Sequence, residues 1–186
     1  RFLDDVADDL APQRGMAGRF RIIICSRFTL GQGLAEIREP IAALPGVGFD
    51  ELQIELARSM GAHLVLLLVR ILSFTELETL ASGTVRRGLA PLVEVADESE
   101  LETALASGSR IIGVNARDLR TFRVDARAAA RLVNRIPNDR IAVYMSGVSS
   151  REDLVRISDT RADAVLIGET LMRAASPGGR LRELLR

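Results

Sequence analysis

Lysine does not occur in this chain of 186 residues; all 25 basic side chains are arginine. Two chemical roles are thereby closed: the Schiff-base amine and the tunable ammonium acid. A guanidinium stays protonated below about pH 12 and can take neither. Tryptophan is absent and aromatic residues make up only 4%, which argues against a base-stacking surface. An excess of charge of one sign is also lacking, because 25 acidic residues balance the 25 arginines and are interspersed with them. No electrostatic footprint for nucleic acid or an anionic membrane results. The single cysteine, Cys25, cannot form an internal disulfide, and with the lone His63 it gives no zinc spacing. No metal or cofactor is expected, and a reducing compartment is the simple reading. The longest apolar run, Leu64 to Val69, has the length of a strand and falls far short of the roughly 18 residues of a membrane span. A cytoplasmic protein is expected.

What remains is 47% hydrophobic and 27% charged, the composition of an ordinary globular domain with one sizeable core. A single domain over residues 1–186 is expected. From residue 60 onward, short runs rich in Val, Ile and Leu occur at 64–69, 91–95, 110–114, 141–144 and 164–167. Each is followed by a stretch with helical spacing, such as Phe74, Leu77, Leu80 and Val85, or Leu101 and Leu105. Alternating strand and helix predicts right-handed βαβ units and a parallel α/β sheet, its strands apolar on both faces beneath helices. Similar strand entries, Gly61-Ala62-His63, Gly108-Ser109-Arg110 and Arg161-Ala162-Asp163, give weak internal repetition of the kind a (β/α) barrel shows.

The first third is less regular. Helices are expected over 2–10, over 34–44 with a break at Pro40, and over 51–59; a strand is expected at 21–26 and a very short one at 46–49. Six clear strands and one doubtful one fall short of the eight of a closed barrel, which needs at least about 200 residues. The expected fold is therefore a parallel TIM-type (β/α) barrel, incomplete or rearranged at its amino-terminal side.

In such architectures chemistry gathers at the carboxyl ends of the strands. Four consecutive strands here end in polar or glycine residues: Glu94 in LVEVA, Asn115 and Arg117 in GVNARDL, Ser146-Gly147 in YMSG, and Gly168-Glu169 in LIGE. Glu94 is the most pointed, because a carboxylate set among Leu92, Val93 and Val95 faces the barrel mouth and is costly to bury without a task. Its structural alternative is an ion pair with Arg117. Gly147 and Gly168, on the last two strands, suit a phosphate site, where a bare backbone approaches an anion closely.

These residues carry a resemblance to a known family. LQIELARSMGAHLVLLLVRIL (52–72), LVEV (92–95), IIGVNARDLRTFRVD (111–125), the SG of YMSGV and ADAVLIGETLMR (162–173) together resemble indole-3-glycerol phosphate synthase of tryptophan biosynthesis, a TIM-barrel lyase. The resemblance implies ring closure of a carboxyphenylamino-deoxyribulose phosphate with loss of CO2 and water, so a sugar phosphate is the expected small-molecule partner. It further implies that Glu94 is the catalytic carboxylate and Asn115 a substrate-orienting amide. Arg117 would bind substrate with Ser146, and Ser146, Gly147, Gly168 and Glu169 would form the phosphate end.

The pattern also departs from that family. The Ala-Glu-Ile-Lys run of the family's first strand has no counterpart, and RIIICS with GQGL aligns better with its second strand and following turn. The Lys-Asp-Phe of its third strand is absent, and its Glu before Ser-Gly is Met145 here. Since arginine cannot replace lysine as a proton donor, low turnover is expected. Two other outcomes stand beside it: a noncatalytic binder of a phosphate ligand, and a structural half whose open sheet edges associate with a partner or a second copy as a homodimer.

Overall fold

The structure, a computed structural model, describes residues 21–24, 54–55, 57–59, 62–118 and 121–186. Its elements run β1 Arg21–Ile24, β2 Leu64–Leu68, α1 Phe74–Arg86, β3 Ala90–Val95, α2 Glu98–Ala106, β4 Ile111–Asn115, α3 Ala126–Val133, β5 Ile141–Met145, α4 Arg151–Ser158, β6 Ala164–Ile167, α5 Glu169–Met172 and α6 Pro177–Leu185. A 3-10 turn, Val69–Ile71, follows β2 directly. The helices expected over 2–10 and 34–44 and the short strand at 46–49 lie outside the described residues. Of the helix expected over 51–59, residues 54–55 and 57–59 are described and helical.

The six strands among the described residues are parallel and form one sheet in the order β1-β6-β5-β4-β3-β2. Strands β2 to β6 thus lie side by side in chain order, as successive right-handed crossovers produce. The first strand stands beside the last. Sequence alignment sets it as a second strand with no first, whereas Arg21 to Ile24 pair with Ala164 to Ile167 of the last strand. In a closed barrel, that neighbour of the last strand is the first.

The two faces of the sheet bury different residues, as a side-chain period of two dictates. Val93, Val95, Ile112, Val114, Ala142, Tyr144, Val165 and Ile167 join one large core with helix residues such as Leu77, Leu101, Leu132 and Leu154. On the opposite face Leu92, Val143, Met145 and Ala164 form a small cluster with Ile111 and Leu166. Glu94, Gly113 and Asn115 share the strand phase of this second set, so the inner face carries the polar strand ends. The α1 stripe is narrower than its sequence suggests: Leu77 and Leu80 are buried, while Phe74 and Val85 at its two ends are exposed.

Helix starts fix the same end of the sheet. Ser73 and Glu76 form a reciprocal capping box at α1, and Ser150 and Asp153 form one at α4. Asp97 and Asp125 accept from backbone N–H groups of Glu100 and Ala128 at the starts of α2 and α3. Each cap satisfies donors that the first helical turn leaves open, and each follows a strand's carboxyl end, Asp125 after the longer loop from β4. At the far end, Gly88 and Gly108 leave α1 and α2 at φ of +77° and +74° and turn the chain back toward the sheet.

Candidate active site

Glu94 and Asn115 stand on neighbouring strands, β3 and β4, one step apart in height: Glu94 is level with Gly113, and Asn115 lies two residues further up the same face. Asn115 Nδ2 donates to Glu94 Oε1 at 3.0 Å, with both residues buried, at 9% and 7% exposure. Asn115 Oδ1 in turn accepts from the backbone N–H of Arg117 at 3.0 Å. That second bond settles the amide's orientation, because only its oxygen can meet an N–H and its nitrogen must then face the carboxylate. Burial pushes the Glu94 carboxyl above its ordinary value of 4.5, while the Asn115 hydrogen bond and the Arg70 cation pull it back and Glu100 adds to the rise. A carboxyl held this way keeps its proton to higher pH than a free one, as an acid that gives up a proton in a reaction must.

The ion pair considered between Glu94 and Arg117 does not form. Arg117 Nη2 reaches across to Glu169 at 2.8 Å, and Glu169 also pairs with Arg173 at 3.0 Å. Arg117 therefore ties the loop after β4 to the start of α5. That loop folds back on itself: Arg117 bridges Val124, Asp118 N donates to Arg123 O at 2.9 Å, and Asp125 N donates to Ala116 O at 2.9 Å. Phe122 at its tip adopts a positive φ of 57°.

Ser146 and Gly147 follow Met145, the register partner of Asn115. Both have left-handed backbones, at φ of 68° and 71°. Gly147 is further constrained, since a Cβ there would meet Val124 Cγ1 at 2.5 Å. Gly168 differs: it caps α5 with φ of −122°, a conformation open to other residues. The Thr170 hydroxyl donates to the carbonyl of Val148, joining the ends of the last two strands. With its carboxylate engaged by two arginines, Glu169 has only its main chain to offer an anion. Tyr144, on β5, belongs to the helix-side core, and burial pushes its phenol up to about 12; it stands apart from the inner face.

One side chain of this region escapes sequence reasoning. Arg70 lies just beyond β2, where Leu68 is level with Glu94, and it pairs with Glu100 at 3.1 Å. Strand phase could not have placed it, because the chain leaves strand geometry at Val69. Met145 fills the space over Gly113, where a Cβ would meet its Sδ at 2.2 Å. Among the described residues, no group of three or more His, Cys, Asp or Glu could hold a metal ion, and no helix is long and apolar enough to cross a membrane.

The family model for indole-3-glycerol phosphate synthase matches residues 42–184. The chain belongs to the indole-3-glycerol phosphate synthase family. An indole-3-glycerol phosphate synthase of Acetivibrio thermocellus is 51% identical over 134 residues, which cover 72% of this chain and 52% of that protein. One from Koribacter versatilis is 45% identical over 136 residues, covering 73% of this chain and 52% of the relative. The chain thus spans about half the length of these synthases. The multifunctional tryptophan biosynthesis protein of Schizosaccharomyces pombe is 43% identical over 136 residues, 73% of this chain and 18% of that protein. Among solved structures, 3-hexulose-6-phosphate synthase from Salmonella typhimurium superposes with a TM-score of 0.66 at 17% identity, over 98% of this chain and 88% of the other. The tryptophan synthase alpha-subunit of Pyrococcus furiosus gives 0.57 at 17% identity, over 79% and 63%. The synthase family and these neighbours share the TIM-barrel fold, in agreement with the parallel sheet and its outer helices.

Proposed function

We propose that this chain carries the phosphate-binding and proton-exchanging side of an indole-3-glycerol phosphate synthase site, and that it holds the sugar-phosphate substrate better than it turns it over. The observation that carries this reading is the buried Glu94–Asn115 pair at the carboxyl ends of β3 and β4. Ring closure with loss of CO2 and water needs a group that exchanges protons with a carbonyl oxygen and a leaving hydroxyl. Glu94 supplies such a group, and Asn115 orients it while keeping contact with the substrate's polar atoms. The backbone at Ser146, Gly147, Gly168 and Glu169 receives the phosphate, Gly147 through its left-handed turn and the others through main-chain donors. Arg117 faces the same rim and meets the substrate's anionic groups when it leaves Glu169.

The chain contains no lysine, and Met145 stands where the family has a glutamate. Binding uses contacts equal in ground and transition state, whereas rate depends on groups that act only in the transition state. Losing the second kind spares affinity and lowers turnover. The test follows indole-3-glycerol phosphate formation by fluorescence beside a calorimetric titration of the same sample. Binding with turnover well under about 1 s⁻¹ is expected, and turnover within the ordinary enzyme range of roughly 1–10³ s⁻¹ would overturn the reading of lost rate. Gly168→Val, which crowds the backbone approach, is expected to weaken binding; unchanged affinity would remove the phosphate from that strand end.

A further inference from the structure

Arg70 and Glu100 form an ion pair at 3.1 Å whose side chains are only 24% and 14% exposed. Glu100 is anchored twice more. Its second oxygen accepts from the backbone N–H of Ala96 at 2.8 Å, two residues after Glu94, and its own N–H is capped by Asp97 at 2.9 Å. Arg70 begins from the turn that follows β2, whose Leu68 is level with Glu94. A cation on one strand end is thus fastened, through Glu100, to the peptide that follows the buried carboxyl on the next.

We propose that Arg70 is a positioning residue that acts through Glu94: clamped by Glu100, it keeps a fixed positive charge on the strand end next to that of the buried carboxyl. The inference rests on the role given to Glu94 in the proposed function, but its first readout does not require turnover. The charged and titratable groups around Glu94 among the described residues are few. Arg70 comes from the turn after β2 and Glu100 from α2, with opposite effects on the carboxyl. From β4 comes the neutral amide of Asn115, and Arg117 beyond it is engaged with Glu169. Arg70 favours the carboxylate and Glu100 the carboxylic acid, as their charges require.

The experiment is a pH titration of the side-chain carboxyl carbons by NMR in the whole labelled chain, with the Glu94 signal assigned by its loss in Glu94→Gln. Arg70→Gln is expected to move the Glu94 midpoint upward, because the attracting cation is gone and the Glu100 charge is left unopposed. Glu100→Gln, which keeps an oxygen for the Ala96 N–H, is expected to move it downward. Arg70→Lys should restore the wild-type midpoint. General loosening of the rim would shift the first two variants in the same direction, so a common direction overturns the proposal, as does an unmoved midpoint in Arg70→Gln. Where turnover is measurable, the pH profile of kcat/KM should follow the midpoints. Midpoints that move as expected in a chain without turnover retain this inference and count against the proposed function instead.

Discussion

Asn115 joins the Glu94 carboxylate to the strand-end loop, donating to Glu94 Oε1 at 3.0 Å while accepting from Arg117 N at 3.0 Å. One neutral side chain therefore fixes both the acid and the first peptide of the rim. A buried donor or acceptor left without its partner costs roughly 1–3 kcal/mol, so the amide is held by two such penalties at once. Changes at either end of this bridge should be read out in the pH dependence of stability as well as in chemistry.

Glu94→Gln should make the protein more stable at neutral pH. The folded-state value of Glu94 is raised, chiefly by burial, so the folded chain holds its proton more tightly than the unfolded one. Its stabilising contribution is complete below the ordinary value of 4.5 and is lost as pH rises through the higher folded value. Each unit of such a shift is worth about 1.4 kcal/mol. A glutamine still accepts from Asn115 and does not ionise. Urea unfolding at pH 4 and pH 8 should show the variant gaining on the wild type only at the higher pH; an equal difference at both would mean that Glu94 ionises freely in the fold.

Asn115→Asp keeps the size of the side chain and places a second carboxyl against the first. Two carboxyls in hydrogen-bond contact cannot both ionise cheaply, and they titrate as a pair in two separated steps. The variant should be destabilised at pH 8 by about 1–3 kcal/mol and recover much of that loss at pH 5, where one shared proton restores a donor. Denaturant midpoints at the two pH values check this, and a loss of the same size at both would assign the effect to packing.

Much of this organisation was legible in the sequence because βαβ units announce themselves twice. Short runs such as 164–167 mark buried strands, and helical spacing such as Leu77 with Leu80 marks the stretches after them. Strand ends then singled out Glu94 and Asn115, which the structure joins by a hydrogen bond. Partner choice was not legible. Nothing in the spacing shows that Arg117 turns to Glu169, 52 residues away, or that Arg70 is held by Glu100. Such pairs depend on loop shape, here a folded loop whose tip residue Phe122 has positive φ. Nor was the neighbour of β1 legible: it is the strand furthest from it in sequence, and local pattern carries no information about that closure.

Gly147→Ala should destabilise through two separable causes. The residue has a φ of 71°, costing about 1–2 kcal/mol for a side chain with a Cβ, and that Cβ would lie 2.5 Å from Val124 Cγ1. Val124 is itself exposed, so Val124→Ala alone should be nearly neutral. In a double-mutant cycle, Val124→Ala should relieve the contact and leave the backbone cost. Full additivity of the two changes would show that the loop after β4 moves aside freely, and that it does not brace the Ser146-Gly147 turn.

Gly113→Ala tests how the inner face is packed beneath the acid. An added Cβ would stand 2.2 Å from Met145 Sδ and 3.2 Å from Leu92 Cδ1. Both neighbours are buried in the small inner cluster. Methionine has rotatable bonds and can withdraw its sulfur, but the space it enters is bounded by Asn115 on the paired strand. Overpacking of this kind costs roughly 1–3 kcal/mol, and Met145→Ala alone leaves a cavity that costs about 2–5 kcal/mol. The two errors have opposite sign in volume, so the double variant should be more stable than the sum of the single losses predicts. Thermal unfolding of the four proteins measures that coupling. A double variant no better than additive would mean that Met145 already points away from Gly113 in solution, leaving the floor of the site open beside Glu94.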